Sequence, residues 1–189
     1  RFGWHNHHFE FKKTADGTIP MDILLSEAPD MLWEVDVSWV VRGGEDPVAW
    51  LKRYGSRIEA CHIKDIAAPG TCLDEDGWAD VGHGTLDWPS LISTMRGIGV
   101  KLFVLEHDKP SDASRFVRRS MATLASRTSG CCELSACEQR AMVRWASSSD
   151  ITPSARSQST MRRQSSGPTW AVDTPFAAGT GKAVEVFIG

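Results

Sequence analysis

What most restricts this chain is its rhythm: short apolar runs alternate with amphipathic stretches, and each apolar run stops at a residue able to bind a metal or move a proton. Leu32 to Val37 (LWEVDV) reads as a strand with Asp36 near its end. The Gly43-Gly44 turn then leads to Asp46, suited to an N-cap, and to Pro47, suited to the first helical position. The helix PVAWLKRY is expected to close at Gly55. Ile58 to Ile63 (IEACHI) reads as a second strand carrying His62 at its end. After a Gly- and Asp-rich excursion from Ala67 to Gly84, Trp88-Pro89 opens the helix LISTMRGI, closed near Gly99. Lys101 to Leu105 (KLFVL) is a third strand ahead of Glu106, and Ser111 is expected to cap a last helix through Leu124.

Strands alternating with helices imply parallel βαβ units, and polar residues at the C-terminal ends of successive strands mark the active face of an α/β barrel. The chain has 189 residues, fewer than the roughly 250 of a complete eight-unit barrel. The expected class is therefore α/β, the C-terminal half of a TIM (β/α)8 barrel followed by a largely irregular tail. About four strand units fall in residues 1–124, and residues 125–189 form the tail. All six histidines precede Leu124, and that part carries 14 basic against 19 acidic side chains. The remainder is rich in Ser, Thr and Arg, with no regular alternation until AVEVFIG, and it is expected to be disordered because it cannot bury enough apolar surface. The chain opens without Met on RFGWHNHHFEF, inside what reads as a strand, for which a missing upstream segment is the simplest explanation.

The net charge of −3 argues against a phosphate-backbone binder, so no nucleic-acid partner is expected. No run reaches the ~18 apolar residues of a membrane span and no signal pattern opens the chain, so no membrane partner and a cytoplasmic location are expected. Five cysteines, at 61, 72, 131, 132 and 137, make an odd set without CxxC spacing, which indicates neither a disulfide framework nor a zinc knuckle. Cys61, inside an apolar run, reads as a core residue.

Asp36, His62 and Glu106 stand at the ends of three successive strands, and two carboxylates with an imidazole suit a divalent cation. Taken singly, a strand-end carboxylate more often caps the next helix; three at equivalent places argue for a shared site. The segments HNHHFEF (5–11), DVSWVVRGGEDPVAWLKRYGSRIEACHIKD (36–65), VGHGTLDW (81–88) and VLEHD (104–108) resemble the sugar phosphate isomerases and epimerases with a xylose-isomerase-like barrel. The resemblance covers nearly all of residues 3–124. It implies that Asp36, His62 and Glu106 bind manganese, cobalt, zinc or magnesium. The fourth ligand is expected to be Glu10, with His5 and His7 as competitors or as proton-transfer groups.

The resemblance also implies the chemistry: proton removal next to a carbonyl, through an enediolate, on a sugar or sugar phosphate. Glu106 would act in proton transfer while touching the metal, and His5 or His7 would serve the opposite face. Asn6, Lys64, Asp65 and His83 are expected at the substrate, although a surface Lys64–Asp65 pair and a structural turn at His83 stay equally open. His8 reads as polar surface. Trp39, Trp78 and Trp88 read as core before sugar-stacking residues. A histidine in place of the first glutamate would favour dehydration or β-elimination on keto-sugars or inositol derivatives. Abasic-site endonucleases share the barrel but need a basic groove and more ligands. A half barrel leaves sheet edges open, so an inactive fragment is the third reading, and a homo-oligomer is allowed.

Overall fold

The computed structural model describes residues 2–128, 141–146, 158–163, 170–172 and 183–188. In chain order these are β1 (Gly3–His5), α1 (Pro20–Glu27), β2 (Leu32–Asp36), α2 (Val37–Arg42), α3 (Pro47–Tyr54), β3 (Ile58–Ile63), β4 (Asp65–Ile66), β5 (Trp78–Ala79), α4 (Trp88–Gly97), β6 (Leu102–His107) and α5 (Ala113–Thr128), then β7 (Ala141–Ala146), β8 (Gln158–Arg163), β9 (Trp170–Val172) and β10 (Ala183–Ile188). Short 3-10 turns lie at Phe9–Phe11, Gly55–Arg57 and Leu73–Glu75. The chain divides into two compact units, residues 1–63 with 89–103, and residues 64–88 with 104–189. Among the described residues no helix is long and apolar enough to cross a membrane.

In the first unit, β1, β2 and β3 run parallel, with His5 opposite Glu34, Glu34 opposite Ala60, and Asp36 opposite His62. Side chains alternate across a sheet, so these residues share one face, while Trp33, Val35, Cys61 and Ile63 occupy the other. That second face is core: all four are at most 2% exposed, and Met21, Leu25, Val40, Trp50, Leu51, Leu91 and Met95 are buried with them. Each such side chain contributes on the order of 1.5–3 kcal/mol of hydrophobic stabilisation. Phe11, Trp33, Trp50 and Tyr54 interlock by edge-on and stacked contacts, with Phe11 and Trp50 5.0 Å apart. Arg57 closes α1 by donating to the carbonyls of Leu25, Ala28 and Met31.

One local expectation changes. Val37 begins a helix and does not end a strand: VSWVVR is rich in residues that favour strands, but Asp36 Oδ1 accepts from Ser38 N at 2.9 Å and Trp39 N at 3.1 Å and so caps α2. Gly55 caps the end of α3 as expected, in a right-handed conformation (φ −52°) that opens a 3-10 turn. The start of α3 is as read, with Asp46 Oδ1 accepting from Val48 N at 2.9 Å. Gly43 is required by packing, because a Cβ there would run into Phe11. Helix α1, opened by Pro20, has no counterpart in the strand-helix rhythm read from the sequence.

In the second unit, β4, just ahead of the 67–84 excursion, pairs antiparallel with β5 inside it. Helix α5 is capped by Asp112, whose Oδ1 accepts from Arg115 N at 2.9 Å, and not by Ser111. It buries Phe116, Val117, Ser120 and Met121 and runs to Thr128, past the expected end at Leu124. In the tail, β10 pairs antiparallel with β7, β7 with β8, and β8 with β9. The alternating AVEVFI is β10. The rest of the tail, and the expectation of disorder made for it, lie outside the described residues.

Candidate metal centre

Parallel pairing carries three donors to one end of the first unit's sheet. Histidine 5 ends β1, Asp36 ends β2, and His62 lies one residue before the end of β3. One ligand atom of each of His5, Asp36 and His62 lies within 4.8 Å of the other two, and the rings of His5 and His62 are 4.4 Å apart. Asp36 is fully buried and His62 nearly so. Two imidazoles and a carboxylate from adjacent strands are a donor set that fits a divalent ion of the zinc, cobalt or manganese kind.

Asparagine 6 holds the set in register. It is fully buried; its Oδ1 accepts from Asp36 N at 3.0 Å and Trp33 Nε1 at 2.9 Å, and its Nδ2 donates to Asp36 O at 3.0 Å. It thus ties the end of β1 to the end of β2 instead of lying open to a substrate. Glu34, two residues before Asp36 on the same face, meets His62 Nε2 at 3.2 Å through Oε1. Sequence reasoning missed Glu34, although its i, i+2 spacing from Asp36 carried the signal. Beneath the set, burial first and the Asp36 charge second push the Cys61 thiol well above its ordinary pKa, so Cys61 is an inert core group.

Glu10, expected as the fourth ligand, is used elsewhere. It lies in the turn after β1, where Oε2 accepts from His7 N at 2.9 Å and Oε1 from Trp4 Nε1 at 3.2 Å. Chain reversal after His5 removes Glu10 from the strand's period-2 face, and His5 stands in the cluster. His7 is exposed, its ring 5.0 Å from that of His5. His8 is half-buried, with its ring 5.3 Å from Trp39.

The remaining expected residues belong to the second unit. Lys64 is 1% exposed; its ammonium donates to Asp108 Oδ1 and Oδ2 at 2.9 and 3.0 Å, pairs with Glu106 Oε2 at 2.9 Å, and lies over the Trp78 ring at 4.9 Å. Asp65 is fully buried, and it binds backbone instead of substrate. Its Oδ1 accepts from Ile66 N at 2.8 Å and Leu86 N at 3.2 Å, and its Oδ2 from Gly82 N at 2.9 Å and Gly84 N at 3.0 Å. A carboxylate in such a nest of amides fastens the loop, and a Cβ at position 84 would collide with it. His83 is exposed on a turn, donating its backbone N–H to Asp80 O. Trp78 and Trp88 are buried.

A second polar cluster went unread in the sequence. Arg115 Nη2 donates to both oxygens of Glu75 at 2.8 and 2.9 Å, Arg115 Nε donates to Asp80 Oδ2 at 3.1 Å, and Arg119 Nη1 donates to the same oxygen at 2.7 Å. Ser111 N also donates to Glu75, at 2.6 Å. Burial pulls the Glu75 pKa upward, but the Ser111 and Arg115 hydrogen bonds outweigh it and bring it down to about 2. His107 is fully buried; burial lowers its pKa to about 4 against the opposing pull of Glu75 and Asp80. Its Nδ1 accepts from Lys109 N, which places the proton of the neutral ring on Nε2, 3.5 Å from Glu75 Oε2.

No protein-family model matches this chain, and no curated protein matches it. Two solved structures from Parabacteroides distasonis do, both described as sugar phosphate isomerase/epimerase. One is 28% identical over 61% of this chain and 41% of its own length, with a TM-score of 0.48. The other is 27% identical over 65% of this chain and 43% of its own, with a TM-score of 0.51. This chain is similar to the sugar phosphate isomerases/epimerases. The resemblance carried by the four segments therefore stands, and with it the α/β class of a partial barrel. The chain spans about two fifths of the length of those structures.

Proposed function

We propose that this chain carries the metal-binding face of an enzyme that moves a proton next to a sugar carbonyl, a sugar (phosphate) isomerase or epimerase. The carrying observation is the convergence of His5, Asp36 and His62 at the ends of three adjacent parallel strands, within 4.8 Å of one another. These three side chains would hold a divalent ion, with manganese, cobalt, zinc and magnesium as the candidates. When bound, such an ion polarises a carbonyl and eases the charge that develops beside it.

The chain's own groups supply the rest. Asn6 fixes His5 against Asp36, and Glu34 orients the His62 ring. His7 is solvent-exposed beside His5 and is the group we assign to carrying a proton to and from water. Glu106, whose Oε2 pairs with the Lys64 ammonium at 2.9 Å, is our second proton-transfer group.

The presence of His5 where a carboxylate was expected favours one other reading, dehydration or β-elimination on a keto-sugar or inositol derivative. Incubation of the full chain in D2O with manganese and a panel of keto-sugars separates the two. Deuterium gained at the carbon beside the carbonyl, with the sugar otherwise intact, supports isomerisation or epimerisation. Loss of water to an unsaturated product supports the lyase. Neither product, together with metal content unchanged by His62→Ala, would overturn both.

A further inference from the structure

Next to the metal-ligand set, the first unit displays aromatic rings that core packing does not account for. Phe9 is 57% exposed. The His7 ring stacks on it, with 5.7 Å between centroids and 9° between planes. Trp39, half-buried in the first turn of α2, lies 5.4 Å from His7, and the Arg42 guanidinium stands 5.3 Å over its ring. His7 in turn is 5.0 Å from His5. A continuous run of rings thus begins at the candidate metal ligand and ends at an exposed phenyl group.

A lone exposed Phe needs no explanation. Rings in mutual contact, running outward from a polar cluster and with a guanidinium standing over one of them, are a built surface of another kind. Their faces are apolar and polarisable, and the exposed His7 imidazole adds a polar group among them. A pyranose ring is the complementary object, with C–H groups on its faces and hydroxyls around its edge. Most ligand sites pair an apolar wall with a few polar groups in this way.

We infer that His7, Phe9 and Trp39 form a second sugar subsite, so that the substrate class is a glycoside. The reacting ring lies toward His5, and the attached ring lies outward of it, against the exposed His7 and Phe9 rings. This inference rests on the sugar reading of the preceding section and narrows it, since a single free sugar would leave the shelf unused.

Calorimetric titration of the full chain with cellobiose and with glucose, in the presence of manganese, tests the subsite; manganese uptake is measured separately. Stacking on aromatic faces predicts that cellobiose binds about tenfold more tightly than glucose. Phe9→Ala, at an exposed position, reduces that ratio about threefold, and Trp39→Ala brings it close to one. Retained manganese uptake shows that each variant is folded. A ratio near one in the wild type with clear glucose binding overturns the subsite and leaves the sugar reading standing. A ratio unchanged in Phe9→Ala and Trp39→Ala also overturns it. Absence of binding by either sugar, with manganese taken up, overturns the subsite and the sugar reading together.

Discussion

The two units each bury histidine and carboxylate side chains in one cluster, and they put them to opposite use. In the second unit, Glu75 and Asp80 meet Arg115 and Arg119 directly, and the backbone N–H of Ser111 adds to Glu75. Charge is answered by charge within the unit, and the result fastens the loop after β4 to α5. In the first unit, His5, Asp36 and His62 bring lone pairs to one point. A convergence of donors is the chemistry of a cation supplied from outside. In the metal reading proposed above, the same residue types are structural or ligating according to what their neighbours contribute, and the composition of a cluster is a poor guide without the geometry.

The largest effect is expected where a second-unit carboxylate is saturated. Asp65→Ala leaves four backbone N–H groups without their acceptor, and the unit should lose on the order of 3 kcal/mol or more. A urea denaturation midpoint close to the wild type would show that the nest is not what holds the loop. Next comes metal in the first unit. Manganese at about 100 times its dissociation constant should raise stability by ~2.7 kcal/mol. His62→Ala or Asp36→Asn should abolish that gain, whereas Glu75→Gln in the second unit should keep it. Equal stabilisation of all of these by manganese would erase the contrast between the clusters.

A pH series sharpens the same contrast. His107 titrates near 6.5 when unfolded and near 4 when folded, so between these values the unfolded chain binds more protons and stability falls as the pH drops. Glu75, folded near 2 against an ordinary 4.5, adds a loss in the same direction below about pH 4.5. Both contributions are complete above their unfolded values. Thermal melts from pH 7 to pH 4 should therefore descend, and His107→Leu should flatten the upper part of that descent while leaving the part due to Glu75. A melting temperature level across that window in the wild type would mean that His107 is not held neutral. The smallest effect belongs to an ordinary helix start: Asp46→Ala removes the α3 cap and should cost about 1 kcal/mol, with manganese uptake unchanged.

Much of this was legible in the sequence, and for local reasons. The strands ending at Asp36 and His62, the Asp46-Pro47 start of α3 and the family likeness follow from side-chain period, capping chemistry and quoted motifs. Helix α2 was hidden because its β-branched residues favour a strand until Asp36 bonds the amides of Ser38 and Trp39. Glu10 and His5 were ranked on ligand chemistry alone, and the turn at Phe9–Phe11 decided between them by carrying Glu10 back toward His7 N and Trp4. The network around Arg115 spans up to forty positions, from Glu75 to Arg115, and has no signature that a linear reading could register.

By itself the sequence determined which segments become parallel strands, because apolar period and helix-start chemistry act over a few neighbouring residues. It also determined that side chains able to ligate a metal would stand near the ends of those strands. Only the tertiary structure decided which of them meet: strand register set His5, Asp36 and His62 side by side, while backbone amides claimed Asp65 and Glu10 was drawn into its own turn. The reason is distance. Hydrogen bonds and metal coordination depend on separations of a few ångströms between atoms that are remote along the chain, and those separations exist only once the sheet has paired.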